Sequence, residues 1–212
     1  MAVLLDNDVV LKLAQLDLLA DGCKLLTRNY GQLYVLDTLV YQLRGKAANR
    51  RYGAEAVQKV QDCLAQGVFI TFDEVISDQR LIELQNNFDN LDEGEMRLVQ
   101  GLLNHHDLLL SGDKRFLKAI AETGFIEEAT LNNRFVCLEQ VICFLINELS
   151  LEYVNEKATI AFQGENRVDS ALRTCIGNGR TLEHVVEGFF HQLRELPEAI
   201  LSLEQHWRLA QT

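Results

Sequence analysis

Short apolar runs alternate along this chain with stretches whose apolar residues recur every three or four positions. Residues 2–5 are apolar and give way abruptly at Asp6, after which Val9, Val10, Leu13, Leu16 and Leu19 fall at helical spacing. That pattern predicts a strand, a turn and an amphipathic helix. It then repeats: residues 33–36 end at Asp37 and lead into Leu39, Val40 and Leu43. Farther on, the pattern predicts a helix over 54–64, a strand over 68–72 and a helix over 78–84. The acidic stretch Leu91-Asp92-Glu93-Gly94-Glu95 opens a helix running to about residue 103. Residues 108–110 read as a strand, 114–121 as a helix and 135–138 as the last strand.

Strands alternating with helices, in a chain whose single proline is Pro197, predict an α/β domain with a central, mostly parallel sheet and helices on both faces. After about residue 149 the alternation fades, and residues 168–176 and 182–193 read as helices, the second ended or kinked by Pro197. The expected organisation is a three-layer domain over 1–148 with a C-terminal helical extension, 149–212, packed on it.

Composition narrows the setting. The five cysteines, Cys23, Cys63, Cys137, Cys143 and Cys175, are scattered and odd in number, which argues against a disulfide framework or a structural zinc site and for a reducing, cytoplasmic location. The opening residues lack the basic stretch of a secretory signal, and no apolar run approaches the roughly 20 residues that span a bilayer, so no membrane partner is expected. A net charge of −11 excludes a surface coated for nucleic acid but leaves room for a small basic groove. Arg44, Lys46, Arg50 and Arg51 cluster in RGKAANRRYG, which reads either as a solvated loop or as a grip on phosphates.

The chemistry-bearing positions are acids. Asp6 with Asp8, Asp92 with Glu95, and Asp113 behind Ser111 sit where strands end or helices begin. Each is explained singly as a helix cap, and Asp92 with Glu95 as a capping box. Together they differ, because a parallel sheet gathers such positions along its carboxyl edge, where clustered carboxylates need a cation such as Mg2+ or Mn2+. His105 and His106, adjacent near a predicted helix end, read as solvent-facing or as partners of the helix dipole and not as ligands.

LLDND at the start resembles the D-[ST]-[ND] pattern of PIN domains, the fold of many metal-dependent nucleases and bacterial toxins. LDEGEMRLVQGLLNHHDLLLSGDKRFLKAIA resembles that family's GE-helix, apolar strand and [ST]-x-D turn, and the resemblance covers about residues 1–145. It implies metal ligation and catalysis by Asp6, Glu95 and Asp113, with Asp8, Gln42, Asp92 and Ser111 in support and Arg44, Lys46, Arg50 and Arg51 binding RNA. Gln42 stands where the family commonly has a glutamate, so that position brings no negative charge. Asp8, Asp37 and Asp92 are the neighbouring oxygens able to compensate. The implied function is a divalent-metal-dependent endoribonuclease, toxin-type with an antitoxin or other protein partner, or alternatively a catalytically weakened PIN-like binding or regulatory protein. The family often pairs, and Val185, Val186, Phe189, Phe190 and Leu193 form an apolar face that must pack on the domain or on a second copy, so a homodimer is expected.

Overall fold

The computed structural model describes residues 2–104, 107–163, 170–177, 179–194 and 196–197. In chain order the elements are β1 (Ala2–Leu5), α1 (Asn7–Gln15), α2 (Leu19–Tyr30), β2 (Gln32–Leu36), α3 (Thr38–Gln42), α4 (Gly45–Tyr52), α5 (Ala54–Ala65) and β3 (Phe69–Phe72). Then follow α6 (Gln79–Asn87), α7 (Glu93–Asn104), β4 (Leu108–Ser111), α8 (Lys114–Glu122), α9 (Phe125–Glu128) and β5 (Phe135–Cys137). The chain continues through α10 (Leu138–Leu149), α11 (Leu151–Gln163), α12 (Ser170–Cys175) and α13 (Leu182–Leu193).

Among the described residues the strands form one five-stranded sheet in the order β3-β2-β1-β4-β5, and every pairing is parallel. The strands are short and apolar because both faces are covered. Val3, Leu5, Leu33, Val35, Leu108, Leu110 and Val136 pack under α1, α2, α5 and α10 on one face. Leu4, Leu36, Leu109, Phe135 and Cys137 pack under α6, α7, α8 and α9 on the other. The two-residue period of each strand thus feeds two separate cores, which makes three layers. Helix α7 lies close to the sheet because Gly101 has no side chain: a Cβ there would stand 3.2 Å from both Leu4 and Phe72.

Three helices depart from the sequence reading. The single helix expected over Val9 to Leu19 is broken at Asp17, which takes φ 58, and α2 begins at Leu19. Leu16, Leu18 and Leu19 are all buried around the turn, so the apolar rhythm runs through the break without marking it. RGKAANRRYG is a helix and not a loop: α4 spans most of it between positive-φ Gly45 and Gly53, burying only Ala48 and so leaving no apolar stripe to read. Helix α10 carries the opposite disguise. It is buried from Leu138 to Ile146, and a helix that is apolar all round shows no 3.6-residue periodicity.

The C-terminal helices share the first core. Val154, Ala158, Leu172, Cys175, Val185 and Phe189 belong to the same buried cluster as Val3 and Leu5, while Leu193 and Leu196 join the second. Polar stitches accompany this packing: Lys157 pairs with Asp17 at 2.5 Å and the Tyr153 hydroxyl donates to Asp21 at 2.8 Å. Val185 and Phe189 are buried within the chain, so they pack on the domain; among the named residues whose side chains are described, Val186 is an exposed large hydrophobic. The Phe190 side chain, Val168, His105 and His106 lie outside the described residues. No helix among the described residues is long and apolar enough to cross a membrane.

Candidate functional site

The strand order reverses direction of growth between β1 and β4, and the crevice beyond their carboxyl ends is where open parallel sheets bind ligands. Asp6 follows β1 directly. Its backbone N–H donates to Leu110 O at 2.9 Å, extending the β1–β4 pairing by one residue, and its side chain caps α1 by accepting from the Asp8 N–H at 3.4 Å. Ser111, fully buried at the end of β4, donates its hydroxyl to Asp6 Oδ2 at 2.8 Å and accepts from the Asp113 N–H at 3.2 Å.

Asp113 caps α8, accepting from the Arg115 and Phe116 N–H groups at 2.8 and 3.2 Å. Between these residues Gly112 makes room for Asp8: a Cβ at Gly112 would lie 2.3 Å from Asp8 Oδ2. That carboxylate pairs with Lys12 one helical turn on, at 2.9 Å. From the other face of the sheet, α7 brings Glu95 to the same edge. Asp92 and Glu95 form a reciprocal capping box, with the Asp92 N–H on Glu95 Oε2 and the Glu95 N–H on Asp92 Oδ1, both at 2.8 Å.

Asp6, Asp8, Asp92, Glu95 and Asp113 all line one cleft of about 580 Å³, together with Gln42 and Arg51. Ser111 lies just beneath, reaching the cleft through Asp6. Of the four expected basic contacts Arg51 lines the cleft, while Arg44, Lys46 and Arg50 do not. The guanidinium of Arg44 stacks 4.6 Å over Tyr41 instead. Lys46, Arg50 and Arg51 lie on α4, where successive side chains point in different directions and Arg51 is the one of the three that lines the cleft; Arg44 precedes the helix in extended conformation.

The electrostatics separate the acids into two groups. Burial pushes the Asp6 carboxyl up to about 6, aided by the charges of Asp8 and Asp113 and opposed by the Ser111 hydrogen bond. Burial likewise raises Glu95 to about 7; the Asp92 N–H opposes the shift, and the charges of Asp92, Asp113 and Asp6 add to it. Asp113 goes the other way. Burial raises it, but Arg115 and the helix N–H groups outweigh that and hold it below the usual carboxylate range. Asp37 and Asp73, which follow β2 and β3, both pair with Arg97, at 2.8 and 2.6 Å. Asp37 is not among the residues lining the cleft, whereas Asp8 lines it and is paired with Lys12.

The donor set of Asp6, Glu95 and Asp113 is all carboxylate oxygen, partly buried and mutually repelling, which is the chemistry of a hard divalent cation site. Among the described residues, however, no three His, Cys, Asp or Glu side chains are grouped as a ready-made metal cage. The residues fit such an ion by chemistry and by shared cleft, and their present hydrogen bonds are those of helix caps.

Several lining residues escaped the sequence reading. Lys12, Lys114 and Arg115 bring positive charge to the acidic cleft, and Leu172 of α12 makes the C-terminal helices part of its wall. Buried Glu139 pairs with Lys114 at 2.5 Å, and Lys114 also donates to Gln192 of α13 at 2.9 Å. Glu139 carries the same strand-end signal as Asp6, but β5 passes into α10 with no polar turn to advertise it. Comparison with protein-family models, curated proteins and solved structures found no match to this chain.

Proposed function

We propose that this chain is a PIN-like, divalent-metal-dependent endoribonuclease. One observation carries the reading: Asp6, Glu95 and Asp113, from three separate elements, line a single cleft at the switch point of a parallel sheet, and two of them titrate far above ordinary carboxylates. Burial-raised carboxylates in a cleft are candidates for function. The sequence resemblance of LLDND and of the segment from Leu91 to Ala121 to PIN domains supports the same reading.

Asp6, Glu95 and Asp113 would hold Mg2+ or Mn2+. Bound there, the ion supplies the positive charge that draws a phosphodiester to an otherwise repelling cleft and stabilises the developing charge of the leaving oxygen. The protein's own groups do the positioning. Ser111 favours the ionised form of Asp6 by donating to it, and Asp92 fixes Glu95 through the capping box. Gln42 offers an amide to orient water, and Arg51, Lys114 and Arg115 offer donors to flanking phosphates.

A second reading has its own support. Gln42 brings no charge, Asp8 is paired with Lys12 and Asp37 with Arg97, which suits a PIN-like binding or regulatory protein with weakened catalysis. Incubating the purified protein with end-labelled single-stranded RNA, in manganese or in chelator, separates the two. The nuclease reading expects cleavage in manganese that is lost in chelator and in Asp6→Asn. Cleavage that survives either change rejects it, and RNA binding without cleavage favours the regulatory reading.

A further inference from the structure

The side chains of Cys23 and Cys63 meet where α2 packs against α5, and a hydrogen bond joins the two thiols. Neither residue lines the acid cleft. Cys23 is 4% exposed within the first core, whereas Cys63 is only partly buried at the margin of that core. The other cysteines, Cys137, Cys143 and Cys175, are all buried.

The hydrogen bond treats the two sulfurs unequally. It pushes the Cys23 thiol up, with burial adding to the shift, and it holds Cys63 below the usual thiol range against burial and the charge of Asp62. Cys23 therefore keeps its proton and donates it, while Cys63 is the sulfur that ionises. The thiolate and not the thiol attacks an electrophile, so reactivity belongs to the partly exposed member of the pair. Contact with a second thiol then decides what becomes of an oxidised sulfur, because a sulfenic acid beside a thiol condenses to a disulfide.

We propose that Cys23 and Cys63 form a modification site: hydrogen peroxide oxidises Cys63, and Cys23 resolves the product into a reversible disulfide across α2 and α5. In the first step the Cys63 sulfur attacks a peroxide oxygen, the O–O bond breaks, and a sulfenic acid forms as the other oxygen leaves as water. In the second, the Cys23 sulfur attacks the Cys63 sulfur, the S–S bond forms, the S–O bond breaks, and the hydroxyl leaves as water with the Cys23 proton. Two thiols and one peroxide thus give one disulfide and two waters, and exchange with a dithiol restores both thiols. Helix α5 packs against both α1, which carries Asp8, and α4, which carries Arg51. The bridge would fix a neighbour of two cleft-lining helices without using a cleft residue.

The test treats the reduced full chain with stoichiometric hydrogen peroxide and follows intact mass and peptide maps. The unaltered protein should lose two hydrogens, yield a peptide linked through Cys23 and Cys63 of one chain, and regain its mass in dithiothreitol. Cys23→Ala should form no disulfide and accumulate the Cys63 sulfenic acid, trapped with dimedone. Cys63→Ser, at the partly exposed position, should leave Cys23 reduced, and it serves where Cys23→Ala does not fold. An unaltered protein whose Cys63 stays a thiol or advances to the sulfinic acid overturns the proposal, as does linkage of Cys63 to another cysteine or to a second chain. None of these outcomes involves the cation or RNA, so the nuclease reading stands or falls separately.

Discussion

Ser111 donates its hydroxyl to Asp6 at 2.8 Å while the same oxygen accepts the Asp113 amide at 3.2 Å, so one buried side chain joins the turn after β1 to the turn after β4. Replacing Ser111 by Ala should break this link. The Asp6 carboxyl would lose the hydrogen bond that opposes its upward shift, and the Asp113 N–H would lose its acceptor. Titration of Asp6 should move above its value of about 6, and stability should fall by roughly 1–3 kcal/mol. Carboxyl chemical shifts followed against pH and urea denaturation measure the two effects. An unmoved Asp6 titration would mean that the hydroxyl does not set its charge.

The raised carboxyls also give the cation-free protein a pH dependence with a defined sign. In Asp6 and Glu95 the folded-state values, about 6 and about 7, exceed the ordinary 3.8 and 4.5. Such groups contribute stability that is fully present below the ordinary values and is lost as pH rises through the folded ones. Melting temperature in chelator should therefore decline between about pH 4 and about pH 7 from these two groups, and Asp6→Asn should flatten part of that decline. Manganese should raise the melting temperature most at the upper end of the range, where the carboxylates are ionised. A decline that is identical in Asp6→Asn would assign it to other groups.

Gln42 lines the cleft beside Asp6 and Glu95 but adds no charge. Gln42→Glu should tighten manganese binding in calorimetry, because it supplies a negative oxygen where Asp37 and Asp8 are already held by Arg97 and Lys12. The same change in chelator should push Glu95 further up, through like-charge repulsion. Unchanged manganese affinity would show that position 42 does not reach the ion.

The basic cluster should divide by geometry. Arg51 lines the cleft and Arg50 does not. Arg51→Gln should weaken RNA binding and reduce the slope of affinity against salt by about 0.7, the increment for one phosphate contact on a single strand. Arg50→Gln should change neither, and both variants should keep their melting temperature, since exposed charges contribute little to stability. Equal losses in the two variants would place the RNA path along the outside of α4.

The strands and the acids at their ends were readable because burial on both faces gives apolar runs that stop sharply at polar residues, as at Leu5-Asp6 and Leu36-Asp37. What could not be read followed from packing. The break at Asp17 hides inside continuous burial, α4 buries one alanine, and α10 buries every side. At the site, the assignment of Arg97 to Asp37 joins positions 60 residues apart, and no local pattern encodes it. Lys114 likewise joins Glu139 and Gln192 from three helices, and the contribution of Leu172 to the cleft depends on how α12 docks.

The central claim is that Asp6, Glu95 and Asp113 together hold one or two divalent cations, and manganese-soaked crystals test it most directly through the anomalous difference map. The account predicts a peak in the cleft at about 2.0–2.2 Å from carboxylate oxygens of Asp6 and Asp113, with Glu95 turned toward it out of its capping box. A map with no peak in the cleft at saturating manganese, with the three carboxylates still serving as helix caps, would contradict it.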